Sequence, residues 1–189
     1  PKNTDNNAVK YADYTIGEFI KKAKASPYWK DTVFLIVADH DIRVRGDTLV
    51  PIERFHIPGL ILGADIAPQK ITAMASQIDL PVTMLSLMGL QTQHPMTGRD
   101  LSQIPADYLG RAMMQYNYNF AWMEQTPTGN QVVVLRENKA PAHGVYDTKV
   151  KRLHEVSPPQ NAFTLEQRAL ANTLLPALLY SEQKYRVPE

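Results

Sequence analysis

The chain has 189 residues, enough for one domain with a real hydrophobic core or for one domain with a small appendage. Its hydrophobic share of 44% and charged share of 21% are typical of globular proteins, and no apolar run reaches the roughly 18 residues of a membrane span. The 20 basic and 19 acidic residues leave a net charge of +1, which argues against a broad basic surface for nucleic acid. The absence of cysteine excludes disulfides, thiolate metal sites and cysteine nucleophiles.

The beginning of the chain predicts that it is a piece of a longer protein. It starts Pro1-Lys2-Asn3, without an initiator methionine, a charged signal region or an apolar signal core. A signal peptide, a membrane anchor or half of an active site would then lie upstream.

The first part of the chain shows an α/β pattern. Apolar residues recur at helical spacing from residue 8 to 23, and this amphipathic helix is expected to end near Ser26-Pro27. The unbroken apolar run 32–38 predicts a strand buried on both faces of a parallel sheet, and 59–63 predicts a second buried strand. Another helix is expected from about residue 76.

The second part of the chain is expected to be β-rich and then helical. From about Arg111, alternating aromatic residues indicate a strand, residues 127–130 a turn, and 131–135 a returning strand. Together these predict an appended hairpin. A final helix is expected over 165–180, with Thr164 as its cap.

The strongest chemical feature is the pair Asp39-His40, directly after the first predicted strand. Ligands bind beyond the carboxyl ends of strands in open α/β sheets, so side chains at this edge point into a site. Carboxylate oxygen and imidazole nitrogen are good ligands for zinc or manganese, although a metal needs about four or more donors. The alternative is that Asp39 caps a turn and His40 is an ordinary loop residue.

Other residues allow a functional and a structural interpretation. Arg43 and Arg45 could bind an oxyanion of the substrate, or be solvated loop charges. His56 could approach the same crevice, or be structural. The remaining histidines are expected at the surface; they are His94, His143 and His154.

Several common functions lack their sequence signatures. The aromatic residues between 116 and 122 could stack on nucleic acid, but their alternation and the lack of surrounding lysine and arginine favour packing in a half-buried strand. The chain contains no P-loop, no Gly-x-Gly-x-x-Gly and no Gly-x-Ser-x-Gly motif.

A series of segments in order along the chain resembles a known family. These are Tyr11-Ala12-Asp13, the strand ending in Asp39-His40, His56-Ile57-Pro58-Gly59, the run from Gln77 to Leu85 followed by Met88-Gly89-Leu90, and the run from Met96 to Leu101. Over residues 8–125 they resemble the C-terminal half of the lipoteichoic acid synthase and phosphoglycerol transferase group, in the sulfatase branch of the alkaline phosphatase superfamily.

The resemblance implies an α/β fold: the C-terminal portion of an alkaline-phosphatase-like sandwich with a small appended β-hairpin subdomain and a C-terminal helix. Residues 1–109 would belong to the sulfatase-like core, 110–157 to the β subdomain, and 158–189 to the final helix and tail.

The resemblance also implies a site. Asp39 and His40 would ligate a catalytic divalent metal, which could be manganese, zinc, magnesium or calcium. Substrate binding by Arg43 and His56 is predicted from their own chemistry and position rather than from the resemblance. A threonine nucleophile and an acidic ligand would lie in the upstream half, so the chain alone would be inactive. Attack on phosphorus or sulfur by the metal-activated hydroxyl would give a covalent ester, followed by transfer to water or a sugar hydroxyl.

Substrate and location are implied less directly. The substrate would be a phosphate ester of phosphoglycerol type or a sulfate ester, lipid- or glycan-linked, and nucleic acid is not expected. The short loop after His40, where many relatives carry a glycine, leaves the substrate open. The family's location implies the extracytoplasmic face of the membrane or the periplasm, behind upstream spans. The alternative function is a non-catalytic domain of the same fold that binds envelope glycans or partner proteins.

Overall fold

The computed structural model describes residues 4–41, 46 and 48–186. Within them, no helix is both long and apolar enough to cross a membrane. The chain divides into two compact units: Pro1–Ile36 with Leu60–Pro68, and Val37–Gly59 with Gln69–Glu189.

The first unit is built around a long helix and two short strands. Helix α1 is Asp5–Lys24, β1 is Phe34–Val37 and β2 is Gly59–Leu62, with a 3₁₀ helix at Pro27–Asp31. Thr4 caps α1 because its hydroxyl accepts a hydrogen bond from the Asn7 backbone N–H at 3.3 Å. The amphipathic helix predicted from the sequence is confirmed.

The expected burial of the two strands is wrong. The side chains of β1 are half-buried, and those of β2 range from half-buried to exposed. Within the described residues, β1 and β2 pair in a sheet of two strands, and their side chains project to both faces of this narrow sheet. The Ala38 N–H, after β1, donates to the Pro58 carbonyl, before β2, at 3.3 Å. This bond joins the end of one strand to the start of the other, as expected of antiparallel rather than parallel strands.

The second unit contains α2, Asp79–Leu87, and a five-stranded antiparallel meander followed by α3, Ala162–Ser181. The meander strands are β3 (Arg111–Tyr116), β4 (Asn119–Thr126), β5 (Gly129–Arg136), β6 (Lys139–Asp147) and β7 (Arg152–Val156). Each strand pairs with the next in the sequence.

The two faces of the meander bury different residues because side chains alternate along a strand. On one face, Met123 and Val132 pack with Val50 and Ile52. The opposite face packs against α3; its core consists of Trp122, Val133, Leu165 and Ala169. The meander is therefore covered by the segment around residue 50 on one side and by α3 on the other.

The predicted hairpin is present as β4 and β5, and three further strands extend it. The signal of β6 is weak because Pro141 and Gly144 interrupt it, and β7 is largely exposed at the edge. The predicted cap of the last helix is wrong: α3 begins two residues before Thr164, after Asn161, and continues through Pro176. The predicted domain boundaries, between residues 109 and 110 and between residues 157 and 158, stay a proposal.

Candidate metal site at Asp39 and His40

The pair Asp39-His40 lies two residues beyond the end of β1, in the second unit. The backbone that presents it is held on both sides of Ala38. The Ala38 N–H donates to the Pro58 carbonyl, and the Ala38 carbonyl accepts from the Gln77 side-chain amide at 2.9 Å. The chain is therefore anchored one residue before the pair, while both side chains stay open to solvent, His40 at 67% and Asp39 at 86%.

The His40 ring is oriented by its neighbours. Its Nδ1 lies 2.5 Å from the Asp41 carbonyl oxygen, which can only accept a hydrogen bond. We therefore assign the proton to Nδ1. The other ring nitrogen, Nε2, lies 3.4 Å from Asp39 Oδ2. A neutral imidazole in this tautomer directs the lone pair of Nε2 toward a carboxylate oxygen.

Two lone-pair donors that face each other at this distance can both bind one positively charged group between them. Either a second proton on the imidazole or a cation bound by both atoms would supply this charge. A histidine ligand commonly donates its other ring N–H to a backbone carbonyl, as His40 does to Asp41. The donor chemistry and the orientation therefore fit a divalent metal. Among the described residues, no cluster of three or more metal-binding side chains is found.

Arg54 brings a positive charge to the same segment. Its guanidinium contacts Asp41 Oδ2 at 3.4 Å and Glu53 Oε1 at 3.5 Å. Arg54 belongs to a short 3₁₀ helix, Ile52–Phe55, and its contact with Asp41 links this helix to the residues after β1. No pattern in the sequence singles out Arg54.

The two predicted substrate-binding residues have different outcomes. Arg43 lies outside the described residues, as does Arg45. His56 follows the Ile52–Phe55 helix and is exposed, and its backbone N–H donates to the Glu53 carbonyl at 3.4 Å. The structure thus places Arg54 against Asp41, the residue that follows the Asp39-His40 pair, while substrate binding by Arg43 and His56 stays a prediction.

A buried polar network, which no sequence pattern indicates, lies next to Gln77 in the chain. Asp79 is fully buried; its carboxylate accepts two hydrogen bonds from the Arg111 guanidinium and one each from the backbone N–H groups of Ser76 and Arg99. The Thr83 hydroxyl donates to the Asp79 carbonyl at 2.8 Å. This network fixes the start of α2, two residues from the amide that anchors Ala38.

One carboxylate of the second unit has a shifted pKa. Burial raises the pKa of Asp100, but hydrogen bonds from the Ser102 side chain and backbone, with those of Ser86 and Gln103, together hold it below 3.8. Ser102 donates from its hydroxyl at 2.6 Å and from its N–H at 2.9 Å. In its ionised form, Asp100 therefore stabilises the chain segment between α2 and β3.

The expectation that His143 lies at the surface is wrong. His143 is buried on β6, and its Nε2 lies 2.8 Å from Glu166 Oε1 of α3. His143 lies on the face of the meander that packs against α3, so this contact joins the sheet to the last helix. His94 is half-buried, and His154 is exposed as expected.

Comparisons with known proteins identify the family. Residues 2–90 match the family model described as Sulfatase. Two proteins named phosphoglycerol transferase I, from Xanthomonas euvesicatoria pv. vesicatoria and Xanthomonas axonopodis pv. citri, are each 35% identical over 91 residues. A solved structure of a Vibrio parahaemolyticus protein, described as in the alkaline phosphatase superfamily, matches the whole chain with 41% identity and a TM-score of 0.88.

The chain spans only part of these proteins. The match covers 46% of this chain and 13% of each Xanthomonas protein, and the chain corresponds to 44% of the Vibrio protein. Over its whole length the chain is similar to a protein of the alkaline phosphatase superfamily, and residues 2–90 match the sulfatase family model. More particularly, the chain is similar in sequence over 91 residues to proteins named phosphoglycerol transferase I. The predicted family and the predicted α/β fold class are confirmed.

Proposed function

We propose that this chain forms part of a metal-dependent enzyme that hydrolyses or transfers phosphate or sulfate esters, with Asp39 and His40 as two of the metal ligands. The observation that carries the proposal is the orientation of the imidazole. The Asp41 carbonyl holds Nδ1, so that Nε2 faces Asp39 Oδ2 at 3.4 Å, and both donors are open to solvent.

The remaining ligands and the nucleophile are proposed to lie in another part of a longer protein. Zinc, manganese, magnesium and calcium take four or more donors, and this pair offers two. The partial coverage of the similar proteins supports this arrangement. The upstream half of the same protein would then be the chain's first partner, and this chain alone would be inactive.

The proposed roles of the chain's own residues follow from their contacts. Asp39 contributes negative charge to the metal, and His40 contributes a neutral nitrogen whose direction is set by the Asp41 carbonyl. Gln77 keeps the backbone before the pair in place through the Ala38 carbonyl. When bound, the metal supplies positive charge that activates a hydroxyl nucleophile and stabilises developing oxyanion charge.

Substrate recognition is proposed for residues close to the pair in sequence. Arg43 would donate hydrogen bonds to an ester oxyanion, and His56, exposed after the Ile52–Phe55 helix, would contact the same group. The names of the Xanthomonas relatives support phosphoglycerol-type esters as the first substrates to test. A lipid- or glycan-linked substrate would place the enzyme outside the cytoplasmic membrane, consistent with a chain that has no cysteine.

Turnover of model esters by the full-length protein tests this function. A phosphodiester and an aryl sulfate are incubated with the protein and with each of manganese, zinc, magnesium and calcium. We expect turnover of at least one ester, lost in Asp39→Ala and His40→Ala and retained in the exposed controls Asp107→Ala and His154→Ala. Binding of envelope glycans without any turnover would instead support the non-catalytic domain.

A further inference from the structure

A polar cleft, separate from the Asp39-His40 site, lies in the second unit between the segment before β3 and the helix α3. Its volume is about 380 Å³, and it is open to solvent. Its lining includes three arginines and one carboxylate; the residues that matter here are Arg99, Arg111, Trp122, Glu124, Arg168 and Asn172. No sequence pattern drew attention to this set, because its members are spread over more than 70 positions of the chain.

Contacts between the lining residues fix the walls of the cleft. The Arg111 guanidinium is held by the buried Asp79 carboxylate and lies 5.8 Å from the centre of the Trp122 ring. The Trp122 indole N–H donates to Glu124 Oε1 at 2.7 Å. Glu124 also accepts two hydrogen bonds from Arg168 of α3, at 2.8 and 3.1 Å. The side chains are therefore arranged before any ligand binds, which lowers the entropic cost of binding.

The charges at the cleft do not balance. Arg111 is paired with Asp79, and Arg168 is paired with Glu124. Arg99, which is exposed, makes no ion pair among the described residues; its guanidinium lies 5.4 Å from the centre of the Tyr108 ring and donates to the Tyr108 hydroxyl. Three guanidinium groups against two carboxylates leave one positive charge at the cleft, with free donors on Arg99.

We propose that this cleft binds a monoanionic oxyanion ester of a polyol, either a phosphodiester or a sulfate ester, with Arg99 as its main charged contact. One unpaired guanidinium matches one negative charge, and a guanidinium donates in the planar geometry that phosphate and sulfate oxygens accept. A cavity of about 380 Å³ accepts a group of the size of glycerophosphoglycerol or a sulfated sugar. The polar lining favours the polyol part over a lipid chain.

Binding to this cleft requires no metal and involves none of the residues from 38 to 56. The proposal therefore goes beyond the function proposed above and can fail without it. It adds a second place at which an ester of the same chemical class is held by this chain.

The experiment is a titration of the full chain, in the presence of a metal chelator, with glycerophosphoglycerol, glucose 6-sulfate and neutral glycerol. Binding is followed by the NMR signal of the Trp122 indole N–H, with that of Trp29, which lies in the first unit, as the internal control. The two charged probes distinguish a phosphodiester site from a sulfate ester site. Two cleft variants have expected effects of opposite sign. Arg99→Gln removes the unpaired charge, and Glu124→Gln removes a negative charge while keeping an acceptor for the Trp122 indole.

We expect Arg99→Gln to weaken binding of the preferred ester about 5- to 10-fold, and Glu124→Gln to strengthen it. The matched control is Arg136→Gln, a half-buried arginine on β5 whose guanidinium donates to the Ala140 carbonyl, outside the cleft; it should leave affinity unchanged. No shift of the Trp122 signal with either ester would overturn the proposal. An equal response to neutral glycerol, or equal affinities of Arg99→Gln and Arg136→Gln, would overturn it as well.

Discussion

Asp79 and Arg111 form a buried two-point ion pair, with Arg111 Nη2 2.8 Å from Asp79 Oδ1 and Nη1 3.0 Å from Oδ2. Their side chains are 1% and 4% exposed. The pair joins the first turn of α2 to the first residue of β3, 32 positions apart. The Asp79 carboxylate oxygens also accept hydrogen bonds from the backbone N–H groups of Ser76 and Arg99, so the buried carboxylate is fully hydrogen-bonded.

Removal of one member of this pair should strongly destabilise the protein. Arg111→Met leaves the Asp79 charge buried without its partner, and we expect a loss of about 3–5 kcal/mol in the free energy of unfolding. Urea denaturation measures it. Asp79→Asn in the same chain removes the orphaned charge while keeping an acceptor, so the double variant should recover part of the loss. A cost below about 1 kcal/mol for Arg111→Met would contradict this role.

The packing of α3 on the meander predicts a contrast between two leucines of that helix. Leu165 is 1% exposed in the core with Trp122 and Val133, whereas Leu174 is 55% exposed. Leu165→Ala should cost about 2–5 kcal/mol of unfolding free energy, because it removes buried methyl groups and leaves a cavity. Leu174→Ala should change stability by about 0.5 kcal/mol or less. Equal effects in urea denaturation would show that α3 does not pack on the sheet through Leu165.

The elements with strong local signals were predictable from the sequence. Helical spacing identified α1, and alternating aromatic residues with a turn at 127–130 identified β4 and β5. The burial of β1 was not predictable, because an apolar run is compatible with both a buried and a half-exposed strand. β6 was missed because its pairing with β5 depends on tertiary contacts rather than on a local pattern.

Gly98 should not tolerate a side chain. A Cβ at this position would lie 2.0 Å from the Ile78 carbonyl oxygen and 2.9 Å from the Asp79 Cα, and backbone atoms cannot move aside cheaply. We expect Gly98→Ala to destabilise the protein by about 1–3 kcal/mol. Gly17→Ala is the matched control: apart from its chain neighbours and the backbone of its own helix, no atom would lie within 4 Å of the added Cβ, and alanine should stabilise α1 by up to about 1 kcal/mol. Thermal unfolding of both variants measures the contrast, and a neutral Gly98→Ala would refute the close approach.

Asp100 predicts a dependence of stability on pH. Its pKa in the folded chain is below 3.8, so its ionised form contributes stability above that value and loses it as the pH falls through the lowered folded pKa. Asp100→Asn cannot lose this contribution. We therefore expect wild type to exceed the variant in unfolding free energy at about pH 6 by more than at about pH 2. Urea denaturation at both values measures the difference. A constant difference would show that the hydrogen bonds from Ser102 do not favour the ionised form.

The candidate metal site was only partly predictable. Asp39 and His40 were identified because they follow an apolar run, which is a local signal. The contact of Arg54 with Asp41 and that of Gln77 with Ala38 span 13 and 39 positions, and no periodicity reports such pairings. The same reason explains why Asp79 and Arg111 were missed. Polar contacts between distant segments depend on the tertiary fold, whereas the spacing of apolar residues reports local structure.

Metal binding by the full-length protein shows whether Asp39 and His40 are metal ligands. Divalent metal content and affinity are measured for wild type, for Asp39→Ala and His40→Ala, and for the exposed controls Asp107→Ala and His154→Ala. We expect stoichiometric metal in wild type and both controls, and an affinity lower by about 100-fold or more in each of the two site variants. Metal bound equally well by Asp39→Ala and His40→Ala, or no metal in wild type, would contradict the proposal that these two residues are metal ligands.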